Sequence, residues 1–238
     1  MSDFDRNVAA FPGAARTVAV DAGLRAHMIR VYNYMAAGVA LTGVVAYFTN
    51  QQFGQALYGS PLMYVLIFAP LALVFFLSFR IESLSASTAR ALFFVYAALV
   101  GASLSIIFAV YTEASITRVC FISAAAFGGL SLWGYTTQRD LTGMGSFLMM
   151  GLIGIIIASL VNIFLKSSGL DWIISVIGVI VFAGLTAWDT QRLKTEYLYG
   201  AMDGEAAERS AIIGALSLYL NFINLFTLLL QLLGQRDE

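Results

Sequence analysis

The chain is short of the residues on which most soluble chemistry depends. Its single cysteine, Cys120, excludes an internal disulfide framework, a CxxC redox pair and a thiolate zinc cluster. Its single histidine, His27, excludes histidine-rich metal sites and any dyad that needs a second imidazole. Three prolines stand against 21 glycines, a balance that suits packed membrane helices rather than linkers. Charge is scarce as well: 11% of the 238 residues are Asp, Glu, Lys or Arg, where soluble proteins carry about a quarter. The formal net charge of −1 gives no basic surface for a nucleic-acid partner.

What is abundant is hydrocarbon. Sixty per cent of the residues are apolar and the mean hydropathy is +0.83. A globule of this size cannot hide that much apolar surface, so the solvent must be lipid. A bilayer core of about 30 Å takes about 20 apolar residues per helix. Seven stretches qualify: 31–49, 61–79, 91–111, 118–137, 144–165, 172–191 and 210–233. The fold class expected is therefore all-α, a seven-helix transmembrane bundle over 31–233. An N-terminal arm (1–30) precedes it and a short tail (234–238) follows. Seven charged residues fall in the first 30, before any apolar run, which does not suit a cleavable signal peptide. With the N-terminus inside, ten of the 13 Lys and Arg residues fall on the inner side. Arg118, Lys166 and Arg236 fall outside, so the charge rule puts the N-terminus in the cytoplasm.

Small residues at Ala97, Gly101 and Ser105 recur every four positions in the third span and form a strip for close helix packing. Gly128 and Gly129 suggest the same for the fourth. In the seventh span, Gly214, Ser217, Asn221, Asn224 and Gln231 stack on one face. Amides cannot face hydrocarbon unpaired, so this face points into the protein. It serves either interhelical hydrogen bonds or a hydrated path, and the last helix is expected to be central. Asp189 is the one acid found inside an apolar span, and an intramembrane carboxylate is a functional-site hypothesis by default. It also lies within a turn of the inner end, where a structural acid fits as well. Arg192 at i+3 could neutralise it, and Arg80, closing the second span at the same face, is either its counter-ion or an ordinary anchor. There is no GxSxG, HExxH, P-loop or dinucleotide fingerprint, and no second intramembrane carboxylate for an aspartyl dyad, so no enzyme is expected.

Four segments taken together are more specific. Tyr96–Ser105, Ser131–Asp140, Gly184–Gln191 and Gly214–Phe226 occur in order across the spans. In these the chain resembles the Bax inhibitor family (the transmembrane BAX inhibitor motif family), in its bacterial YccA-like branch. The resemblance implies a seven-helix bundle with the last helix central, and a pH-sensitive calcium leak. It also implies a sensor made of two aspartates, one near the inner end of the sixth span and one in the seventh, latched by an arginine of the second. Asp189 matches the first acid through Trp188-Asp189-Thr190-Gln191, and Arg80 matches the arginine. The second acid is absent: Asn221 stands in its place. Asparagine can donate a hydrogen bond to an ionised Asp189 but cannot share a proton with it, so any leak is expected to depend weakly on pH.

Calcium, as the transported ion, would meet one carboxylate, Asp189, with the amide oxygens of Asn221 and Asn224 beside it and water completing a weak site. Ser217 lies on the same path. No other cofactor is expected. The competing reading is a non-conducting stress or quality-control regulator that binds other membrane proteins, such as a protease, through Arg192–Arg209 and the N-terminal arm. The resemblance places the chain in a bacterial inner membrane, with the lipid bilayer as its first partner.

Overall fold

The computed structural model of the chain describes residues 12–80, 83–200 and 204–237. Residues 1–11 of the expected arm and 201–203 of the last inner turn lie outside the described residues. The elements are α1 (Pro12–Leu57), α2 (Pro61–Arg80), α3 (Ala86–Leu104), α4 (Ile107–Val110), α5 (Glu113–Thr136), α6 (Thr142–Leu165), α7 (Ser168–Tyr199) and α8 (Gly204–Leu233). The third span is α3 and α4 together, broken at Ser105 and Ile106. There Ser105 Oγ bonds back to Ala102 O at 2.7 Å, and Tyr58 Oη donates to the Ser105 carbonyl at 2.8 Å. Among the described residues the β pairing is a single bridge between Tyr111 and Arg236.

Six of these helical spans are long and apolar enough to cross a membrane. The 20 residues of α2 make about 30 Å, one hydrocarbon thickness. Its apolar part, Pro61–Leu77, is shorter than the other six, but its two ends meet the two ends of α3, in keeping with a crossing beside that span. Tyr58, just before α2, bonds to Ser105, whereas Ala86, just after it, donates its N–H to Glu205 at the start of α8. Among the described residues, Arg30 of α1 and the C-terminal tail lie at opposite ends of the bundle, in keeping with an odd number of crossings. Arg30 pairs with Glu208 at the start of α8, while Thr112 and Asp237 make backbone bonds that tie the C-terminal tail to the α4–α5 turn.

Helices outrun the apolar stretches at several points. α1 begins at Pro12 rather than 31, so most of the expected arm is a continuation of the first helix. α7 runs on to Tyr199; its 32 residues span about 48 Å, well beyond the hydrocarbon. Apolar runs mark where lipid is the solvent, but a helix satisfies its own backbone in water as well as in lipid.

α8 is the core. It packs against α1, α3, α5 and α7, and twelve of its residues are buried. Tyr219, fully buried, meets the rings of Phe93 and Tyr96, and its hydroxyl shares a hydrogen bond with Thr42 Oγ1 at 2.6 Å. Outward faces carry Phe79, Phe121, Phe147 and Phe164, as a lipid-exposed surface should. The expected strip in α3 does its packing work. A Cβ at Gly101 would sit 2.6 Å from the Thr42 carbonyl oxygen, so α1 and α3 touch backbone to backbone there. Gly128 and Gly129 do not: nothing lies within 4 Å of a Cβ at either. The close contact of α5 is made instead by Gly134, where a Cβ would overlap the Ala187 carbonyl of α7.

Candidate functional site

α7 contacts α6 on one side and α8 on the other, and a cavity of about 1020 Å³ opens between these three helices. It reaches from Lys166, Asp171 and Gln231 at one end to Asp189, Arg192 and Ser217 at the other. Asp171 and Asp189 are 18 residues apart on one helix, about 27 Å by the helical rise, so the cavity has nearly the height of the hydrocarbon layer. Its α8 wall is the polar strip: Ser217, Asn221, Asn224 and Gln231 all line it. Gly214 departs from the strip's other members and is buried against Leu193 of α7.

Asp189 is 6% exposed and both of its carboxylate oxygens are engaged. Arg192 Nη2 lies 2.9 Å from Oδ1, one turn along the same helix, and Asn221 Nδ2 donates to Oδ2 at 2.7 Å across the gap to α8. Charge-assisted bonds of this kind are about twice as strong as neutral ones. Arg192 in turn reaches Ser217 Oγ at 3.4 Å and Glu196 at 3.4 Å, with its guanidinium carbon 4.9 Å from the centre of the Trp188 ring. The structure thus brings together Asp189, Asn221 and Ser217, with Asn224 one turn further along α8. Asn224 bonds back to the Leu220 carbonyl at 2.8 Å.

Arg80 is not part of this group. It stands exposed at the end of α2, which packs chiefly on α3. The counter-ion of Asp189 is Arg192, because an i+3 partner reaches the carboxylate without any helix having to move. Among the described residues no group of three or more His, Cys, Asp or Glu side chains is placed to hold a metal. A cation could use Asp189 only by displacing Arg192 or Asn221.

At the other end of the cavity the sequence singled out Gln231 but not Asn162, Asp171 or Ser175. Asn162 of α6 donates to Asp171 and to the Ser167 carbonyl, and its own side-chain oxygen accepts from the Ser167 N–H at 3.0 Å. Ser175 donates to Gln231 at 2.8 Å, linking α7 to α8. Asp171 escaped notice because it precedes the apolar run of its span. Its place in the first turn of α7, behind the N-cap Ser167, was the available signal. At the opposite end, Glu208 of α8 accepts from Tyr34 and Arg30 of α1 and lies 3.9 Å from Arg90 of α3. His27, which the apolar runs placed ahead of the first span, is buried in α1 and stacked on Tyr197 at 4.9 Å.

The chain is similar to a known family and to several bacterial proteins. A family model described as inhibitor of apoptosis-promoting Bax1 matches residues 24–238. An uncharacterised protein of Caulobacter vibrioides is 45% identical over 250 residues, covering all of both chains. Protein RP147 of Rickettsia prowazekii is 50% identical over 222 residues, 92% of this chain and 93% of its own. The inner membrane protein YbhL of Escherichia coli K12 is 47% identical over 231 residues, 95% of this chain and 98% of its own.

Proposed function

The chain belongs to the Bax inhibitor family, and from that premise we propose that it is a passive cation leak, most simply for calcium, of the bacterial inner membrane. The observation that carries this reading is the cavity between α6, α7 and α8, apolar over much of its lining but walled on α8 by the polar strip, which runs nearly the height of the hydrocarbon layer and ends at Asp189. Arg192 is the plug. While its guanidinium holds Oδ1, no ion can use the carboxylate, and conduction requires it to swing toward Glu196 and the aqueous end of α7. An ion that then meets one carboxylate and a few amide oxygens is held weakly, which suits passage because it must also leave. Asn221 takes part as a fixed hydrogen-bond donor rather than as a proton-sharing acid, so gating by pH is weak. The protein is not an enzyme, and its N-terminus faces the cytoplasm by the distribution of basic residues.

Calcium flux into liposomes carrying the purified protein tests this, with Asp189→Ala and Asn221→Asp alongside. Native protein is expected to leak with little change from mildly acid to mildly alkaline pH, Asp189→Ala to alter the flux, and Asn221→Asp to gain pH control. A steep native pH switch that Asp189→Asn removes would overturn the weak-gating part, and absence of flux from both native protein and Asn221→Asp would overturn conduction.

One observation favours the second reading, a non-conducting regulator that binds other membrane proteins such as a protease. At the tip of α7, beyond the hydrocarbon, Tyr199 is 87% exposed with Leu198 beside it at 43%. Under that reading Tyr199→Ala loses a partner in pull-down from native membranes, while Asp189→Ala leaves the partner bound.

A further inference from the structure

Gly128 and Gly129 point away from every neighbour, and over Gly128 lies a groove. It is about 470 Å³ in volume and runs between α1 and α5, from Arg25 to Tyr32 on one side and Phe127 to Tyr135 on the other. Each side is about 10–12 Å long by the helical rise. The walls are hydrocarbon, including Met28, Ile29, Phe127 and Leu132. The hydroxyls of Tyr32 and Ser131 in the groove are already satisfied. Tyr32 Oη and Ser131 Oγ bond to each other, and Ser131 Oγ continues to Thr190 Oγ1 at 2.9 Å, which ties α1, α5 and α7 together beneath the trough.

Arg25 is different. It is exposed at one end of the groove, and no carboxylate among the described residues forms an ion pair with it. A second cation stands by the same end: Lys194 Nζ donates to the Tyr135 carbonyl at 2.9 Å and lies 5.1 Å from that ring's centre. An apolar trough in a bilayer fills with hydrocarbon rather than water, and cations at its mouth select the headgroup that comes with the chain. We infer that this groove binds a phospholipid with an anionic headgroup, an acyl chain lying over Gly128 between α1 and α5 and the phosphate at Arg25 and Lys194. The site shares no residue with the cavity between α6, α7 and α8, and does not depend on conduction.

Native mass spectrometry of the full chain, released from nanodiscs of equal phosphatidylglycerol and phosphatidylcholine, reads this directly. Native protein should retain one lipid, phosphatidylglycerol over phosphatidylcholine by about 30-fold, at about fivefold for each of two interfacial cations. Gly128→Leu fills the trough without touching the core and should lose the retained lipid. Gly129→Leu, equally open but outside the groove, should keep it. Arg25→Gln, a surface change that leaves the helices intact, should keep one lipid but cut the preference to about fivefold, the share of Lys194. Phosphatidylcholine retained as readily as phosphatidylglycerol by native protein overturns the proposal, as does unchanged retention in Gly128→Leu. A native dimer that Gly128→Leu dissociates would also overturn it, by making a second copy of the chain the occupant.

Discussion

Replacing Arg192 with glutamine removes the group that holds Asp189 closed, and the structure sets the size of the effect. At 2.9 Å and an effective dielectric of about 20, the Coulomb attraction of the pair is about 6 kcal/mol. The Arg192 side chain is 34% exposed, so screening and desolvation reduce this to about 2–3 kcal/mol, between the values for surface and buried pairs. If that attraction stabilises the closed arrangement, its loss raises the open fraction about 30- to 150-fold. Initial rates of dye-reported calcium entry into liposomes measure this, with Arg80→Gln as the matched control lying off the cluster. A correctly folded Arg192→Gln that leaks no faster than native protein refutes the assignment of Arg192 as the plug, and so does Arg80→Gln if it leaks as much. Thermal unfolding in detergent supplies an independent check. Arg192→Gln leaves a carboxylate that is 6% exposed with one donor and should lower stability, while adding Asp189→Asn should recover much of the loss.

Other consequences concern the frame around the site. Gly134→Ala drives a methyl into the Ala187 carbonyl and should cost about 1–3 kcal/mol in thermal or denaturant unfolding, whereas Gly129→Ala should cost little. Tyr219→Phe removes the hydroxyl shared with Thr42, but Thr42 keeps the Gly38 and Ala97 carbonyls, so the loss should be about 1 kcal/mol by the same measurement. Asp140, in the turn before α6, is held below the usual carboxylate range by hydrogen bonds from the Thr142 side chain and N–H. A depressed acid stabilises above its unfolded value and loses that contribution as pH falls through the lower, folded one. Protection of the first turn of α6 in hydrogen exchange should therefore hold at neutral pH and weaken only in strong acid, and Asp140→Asn should remove this dependence.

The number and order of the spans were legible because lipid imposes a long apolar run on every crossing. The inward face of the last helix was legible too: Asn221, Asn224 and Gln231 share one side of α8, and hydrocarbon leaves such a side no outward choice. Pairings between spans were not legible. The sequence offered two arginines for Asp189, at i+3 and at the end of another span, and local reach decided for Arg192. Glycine spacing was likewise ambiguous. Gly101 and Gly128 look alike in the sequence, yet one meets the backbone of α1 and the other opens onto a groove, because the crossing points of α3 and α5 depend on the whole bundle. Asp171 was overlooked since a helix start in a turn resembles ordinary loop polarity, and only folding sets it at the far end of the Asp189 cavity.

Whether the polar strip of α8 borders water is tested most directly by thiol accessibility in a Cys120→Ser background. Ser217→Cys, Asn224→Cys and Gln231→Cys are each exposed, in oriented membranes, to a membrane-impermeant methanethiosulfonate added from one side at a time. A hydrated path predicts reaction at all three, with Ser217→Cys labelled from the Asp189 end and Gln231→Cys from the Asp171 end. If Asn224→Cys stays unreactive from both sides while a lipid-soluble maleimide labels it, the strip faces hydrocarbon or dry packing, and the conduction path proposed for this cavity is contradicted.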